Sequence, residues 1–106
     1  VARFDDSPLA MLVAAAPAEA TRLVEVVLRP VLDLSAAERT RLLETLGHWF
    51  TAGGVATEAA DLLFVHPNAV RYRLRRVEKM TGRSLSEPKT LADLGAALHA
   101  LRLLPQ

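Results

Sequence analysis

Prolines and glycines cut this chain into short stretches, and that punctuation limits its fold more than any other feature. Between the cuts, apolar residues recur at three- and four-residue spacing, the period of a helix packed on one face. Asp5-Asp6-Ser7-Pro8 reads as a helix start, with Ser7 as N-cap and Pro8 at the first helical position. Residues 9–16 follow and stop at Pro17. A second helix is expected over about residues 18–29, with Leu23, Val24, Val27 and Leu28 on one face, and Pro30 ends or kinks it. Ser35-Ala36-Ala37-Glu38 has the form of a capping box opening a third helix. Leu42, Leu43, Leu46, Trp49 and Phe50 form its stripe, and Gly53-Gly54 stops it. Two closely spaced segments come next, residues 55–63 and 67–81, joined by Phe64-Val65-His66 and closed by Gly82. The last helix is expected at about residues 88–104, with Leu91, Leu94, Leu98, Leu101 and Leu104 as its stripe.

Composition agrees with an all-α fold of about five to six helices. Of 106 residues 51% are apolar, yet only Phe4, Trp49, Phe50, Phe64 and Tyr72 are aromatic. Alanine and leucine fill the core, which favours helices over strands. The absence of cysteine excludes disulfides, thiolate metal sites and a cysteine nucleophile. No apolar run approaches the ~20 residues that span a bilayer, so no membrane partner is expected and the location expected is cytoplasmic. The chain opens on Val1 rather than methionine and reads as a piece of a longer protein.

The net charge of +1 conceals an uneven distribution. Residues 66–83 hold six bases, Arg71, Arg73, Arg75, Arg76, Lys79 and Arg83, against the single acid Glu78, a local charge of +5. The remaining seven bases and eleven acids leave the rest at −4. Such a stretch is either a solvated helix face or a surface for an anionic partner.

Residues 55–82 have the layout of a helix-turn-helix. Ala59 and Ala60 allow close packing in the first helix, Leu63 at its end and Val65 within the turn belong with them to the core of the motif, and Val70, Leu74 and Val77 anchor the second helix at i, i+4, i+7. At about 100° per residue, Asn68, Tyr72, Arg75 and Lys79 fall nearly opposite those anchors, with Arg76 beside them and Arg71 and Arg73 on the flanks. Double-stranded DNA supplies both the charge and the shape for such a helix, since its major groove admits one. Asn68, Arg71 and Tyr72, near the helix start, are the candidate base contacts. His66, Arg73, Arg75, Arg76 and Lys79 are the candidate backbone contacts.

The run Leu63-Phe64-Val65-His66-Pro67-Asn68-Ala69-Val70-Arg71-Tyr72-Arg73-Leu74-Arg75-Arg76-Val77-Glu78 resembles the C-terminal helix-turn-helix of PucR/CdaR-type bacterial transcriptional regulators. Leu42-Leu43-Glu44-Thr45-Leu46 before Trp49-Phe50 resembles that family's leading helix, and Thr81-Gly82-Arg83 with the leucine-rich tail its closing segment. The likeness covers roughly residues 34–104. It implies a DNA-binding domain at 34–106, with residues 1–33 the tail of a preceding regulatory domain or a helical linker. It also implies a small-molecule effector bound by an upstream domain not in this chain. Two positions depart from the family's pattern. Pro67 stands where a basic or polar residue is usual and Ala69 where threonine is, which removes an N–H and a hydroxyl from the helix start. The aromatic at Phe64 is shared with the family.

Other residues carry no chemistry of their own. His48, His66 and His99 lack metal-ligand spacing, so no metal and no cofactor are expected. Gly53-Gly54 is not followed by the Lys-Ser or Lys-Thr of a phosphate loop, and Ser7, Ser35, Ser84 and Ser86 lack a nucleophile-elbow context. Trp49 and Phe50 read as core. No catalytic set is present, and the expectation is a non-enzymatic regulator acting as a homodimer on DNA. The rival is a helical interaction or dimerisation module whose basic face is only solvated.

Overall fold

Helix formation follows the punctuation closely. The computed structural model describes residues 8–104 and forms, among them, six helices and no strand. These are α1 (Pro8–Ala15), α2 (Pro17–Leu32), α3 (Ala36–Thr51), α4 (Ala56–Leu63), α5 (Pro67–Thr81) and α6 (Pro88–Leu103). Prolines open α1, α2, α5 and α6, where a missing N–H has no intrahelical partner to lose. The cap expected at Ser7 lies outside the described residues. A single residue, Ala16, separates α1 from α2; its N–H still reaches the Leu12 carbonyl at 2.9 Å. Pro30 does not end α2, which continues to Leu32. Less than one turn follows the proline, so only its own absent N–H is lost before the helix closes with Leu34 N–H on the Val31 carbonyl.

The chain falls into two units, Val1–Arg29 with Ser86–Gln106, and Pro30–Leu85. In the first, α1 packs against α6. Val13 is the buried residue of α1, and Ala20, Val24, Val27 and Leu28 form the buried stripe of α2. The stripe of α6 differs from the leucine row expected. Leu94 and Leu98 are buried, Leu91, Leu101 and Leu104 only half so, and Thr90, Ala97 and Ala100 complete the buried face. Alanines allow close approach there, so the helix contacts along a narrower line than a leucine-only reading implies.

In the second unit α3, α4 and α5 pack on one another. The core is Leu42, Thr45, Leu46 and Gly47 of α3, Ala59 and Ala60 of α4, and Val70, Leu74 and Val77 of α5. The three anchors of α5 are those its periodicity selects. Each buried aliphatic side chain contributes roughly 1.5–3 kcal/mol. Leu63 and Val65 are half-buried beside them. Trp49 and Phe50 meet edge to face with centroids 5.4 Å apart. Gly54, at φ +82°, passes under the indole: a Cβ there would lie 3.5 Å from Trp49 Cζ2.

At the start of α3 the Ser35 hydroxyl accepts the Glu38 N–H at 3.3 Å, one half of the expected capping box. The Glu38 carboxylate does not serve as the other half; it is engaged by Arg76 of α5. A full cation attracts it more strongly than one more neutral donor.

Candidate nucleic-acid interface

The turn between α4 and α5 is built from backbone geometry and one imidazole. Phe64 takes the left-handed conformation, φ 58° and ψ 42°, and closes α4. Val65 N–H returns to the Ala60 carbonyl at 3.1 Å. His66 then caps α5: its Nδ1 accepts the Asn68 N–H at 3.0 Å, and its carbonyl accepts the Ala69 N–H at 2.9 Å. Pro67 occupies the first helical position, as expected.

With Val70, Leu74 and Val77 buried, α5 turns Asn68, Arg71, Tyr72, Arg75 and Lys79 to solvent. Within this strip Arg71 donates to Asn68 Oδ1 at 3.1 Å. Because a guanidinium only donates, the bond fixes which end of the Asn68 amide faces Arg71 and leaves the NH₂ end for another acceptor. Glu78, the one acid of the basic stretch, is drawn off the strip: its Oε2 accepts the Leu85 N–H at 2.7 Å beyond the end of α5. The helix stops at Gly82, φ 68°, whose N–H bonds the Glu78 carbonyl.

Arg73 and Arg76, expected among the backbone contacts, are both half-buried and both bonded to α3. Arg73 donates to Thr45 Oγ1 at 3.3 Å, and Thr45 in turn donates to the Arg41 carbonyl at 2.8 Å. Arg76 Nε donates to Glu38 Oε2 at 2.5 Å. That charge-assisted bond, against the modest cost of partial burial, holds the Glu38 carboxyl below its ordinary range and raises Arg76 further. Sequence reasoning does not single out Glu38, Arg41 and Thr45 as site residues. Their i, i+3, i+7 spacing sets them on one side of α3 with Leu42, a signal masked because two of the three are charged.

Among the described residues no three His, Asp or Glu side chains gather as metal ligands do, and no helix is long and apolar enough to cross a membrane.

Comparison with known proteins agrees with this geometry. A family model described as the PucR C-terminal helix-turn-helix domain matches residues 42–100. An uncharacterised protein of Mycobacterium tuberculosis is 43% identical over 63 residues, covering 59% of this chain and 14% of the relative. The purine catabolism regulatory protein of Bacillus subtilis is 39% identical over 67 residues, 63% of this chain and 13% of that protein. An uncharacterised protein of Haemophilus influenzae is 38% identical over 55 residues, 52% and 15% of the two chains. The matches thus span only about one-seventh of the relatives' length. No solved structure matches. The matched segment takes in most of α3, the capped turn, all of α5 and most of α6, and the chain belongs to the PucR C-terminal helix-turn-helix domain family.

Proposed function

We propose that this chain is a sequence-specific DNA-binding domain of a transcriptional regulator, with α5 in the major groove. The observation that carries the reading is the pairing of opposite faces on α5. Val70, Leu74 and Val77 are buried, and the solvent face is a strip of donors whose one neighbouring acid is engaged elsewhere. In this reading Asn68, Arg71 and Tyr72 reach base edges. His66, Arg75 and Lys79 lie against the sugar-phosphate backbone, with the donors of Arg73 and Arg76 not used by α3. The name of the Bacillus subtilis relative, a purine catabolism regulatory protein, supports a regulatory role. In this proposal residues 1–33 are the tail of a preceding regulatory domain or a helical linker, and the effector binds upstream.

A single recognition helix reads too few base pairs for genomic discrimination, so the working form is a homodimer on half-sites about one helical turn, roughly 34 Å, apart. The exposure of Met11, Leu12 and Val26, at 61–66%, supports α1 and α2 as the surface for the second copy.

The test is salt-dependent binding to a duplex. Replacing Arg75 and Lys79 with alanine should weaken binding to every sequence. It should also reduce the log–log salt slope by about 0.9 for each phosphate no longer neutralised. Parent-like binding at two salt concentrations would remove α5 from the interface and leave the solvated-face reading.

A further inference from the structure

Between α3 and α5 lies a groove of about 300 Å³ whose lining includes Glu38 and Arg41 of α3 and Ala69, Tyr72, Arg73 and Arg76 of α5. Three arginines line it against one glutamate. We propose that this groove is a phosphate site, in which Arg41, Arg73 and Arg76 together take one phosphate group and Glu38 is the internal anion it displaces from Arg76. The inference rests on the reading that α5 faces DNA.

The chemistry of the groove is that of anion recognition. Arginine matches phosphate bidentately, offering five N–H donors in a planar fork. Arg76 commits its Nε to Glu38, and Arg73 commits one terminal nitrogen to the Thr45 hydroxyl; each keeps further donors. The side chain of Arg41 makes no hydrogen bond or ion pair among the described residues, yet it acts on the same point. Glu38 is stabilised as an anion by Arg76 first and by Arg41 after it. Arg41 and Arg76, on different helices, thus line the same groove as Glu38, and with Arg73 the groove retains a positive excess even when Glu38 is ionised. Glu38 and Arg76 are both 31% exposed, so a solute can reach them. Ala69 leaves room where a larger side chain would fill the groove.

Two sources supply such a group, a DNA backbone diester and a free phosphate-bearing solute. Tyr72 favours the diester. It lines the groove and is also 61% exposed on the strip of Asn68 and Arg75, so a phosphate held here sits beside the proposed reading face.

The experiment compares the 106-residue chain with Arg41→Ala, Arg41→Lys, Glu38→Gln and the Arg75→Ala/Lys79→Ala pair, each first checked for a parent-like circular dichroism spectrum and a cooperative melt. Binding to one labelled duplex is followed at two salt concentrations. Arg41→Ala should bind several-fold more weakly and lower the salt slope by about 0.9, with Arg41→Lys restoring most of both. Glu38→Gln should bind several-fold more tightly, because Arg76 is then released at no electrostatic cost.

If the Arg75/Lys79 pair weakens binding and Arg41→Ala does not, the groove is not a phosphate site although α5 faces DNA. If neither does, the reading of α5 itself fails. Weaker binding by Glu38→Gln would make Glu38 a positioning residue and overturn the displacement. The Arg76 Nε–H resonance distinguishes the sources. A shift with duplex alone assigns the site to DNA backbone, a shift with millimolar inorganic phosphate as well assigns it to free anions too, and no shift with either refutes the site.

Discussion

His66 Nδ1 accepts the backbone N–H of Asn68 at 3.0 Å, so the residue before α5 and the first polar residue on its exposed strip form one unit. The bond satisfies an N–H that has no intrahelical carbonyl, as serine or aspartate does at other helix starts. His66→Ala should therefore cost about 0.5–2 kcal/mol of stability, and His66→Asn, which keeps a side-chain acceptor, should recover most of it. Urea unfolding of the three proteins checks this; equal midpoints for His66→Ala and the parent would mean that water replaces the cap without loss.

Phe64 and Leu74 make opposite predictions. Phe64 is 94% exposed and sits at positive φ, where a Cβ costs roughly 1–2 kcal/mol. Phe64→Gly relieves that strain and adds roughly 0.5–1 kcal/mol of unfolded-state entropy, so stability should stay level or rise slightly. Leu74 is 8% exposed on the buried face of α5, and Leu74→Ala should cost about 2–5 kcal/mol. A large loss at Phe64 would show that its ring holds the turn, and an unchanged melt for Leu74→Ala would rotate the assigned faces of α5.

How much of the fold is legible in the sequence depends on how local each cause is. Caps, prolines and glycines act within a turn or two, and the limits of α3 and α5 follow from them, whereas α4 starts without a side-chain cap and is closed by the left-handed Phe64. The buried face of α5 follows from periodicity because Val70, Leu74 and Val77 stand among charged neighbours. Arg73 and Arg76 are beyond such reasoning. Their partners lie 28 and 38 residues away, and a basic residue on a helix flank has the same pattern whether it meets phosphate or an acid on another helix. Glu38 reads as half of a capping box for the same reason: the local partner is visible and the stronger distant one is not. In α6, Ala97 and Ala100 take buried places that a leucine count assigns to Leu91 and Leu101, since small residues carry little weight in an apolar count although they set how closely helices approach.

Asn68 and Arg71 should behave as a coupled pair on DNA. Each alanine substitution should cost about 1–3 kcal/mol on a preferred site and much less on random duplex. Because Arg71 donates to Asn68 Oδ1 at 3.1 Å, removing either also frees the other to reorient. The double variant should then lose less than the two single losses together, by at least about 0.5 kcal/mol. Strict additivity, or equal losses on preferred and random DNA, would show that the two side chains bind the backbone independently.

Stability and DNA affinity should respond in opposite senses at Glu38. Its bond to Arg76 holds the folded-state carboxyl below the ordinary value of 4.5. A depressed folded-state pKa means that the tether stabilises the fold fully above that ordinary value and is lost as pH falls through the lowered one. At neutral pH the Glu38→Gln variant, which cannot ionise, should melt below the parent. On acidification the gap should close, because the parent's carboxylate becomes neutral while the glutamine is unchanged. Both groups are open to solvent, so added salt should narrow the gap as well. The same substitution should tighten duplex binding at neutral pH, since α5 then carries a less engaged Arg76. Melting curves of the two proteins across the acid range, with binding measured at neutral pH, test both halves. A gap independent of pH would show that Glu38 stabilises α3 through packing rather than through its charge.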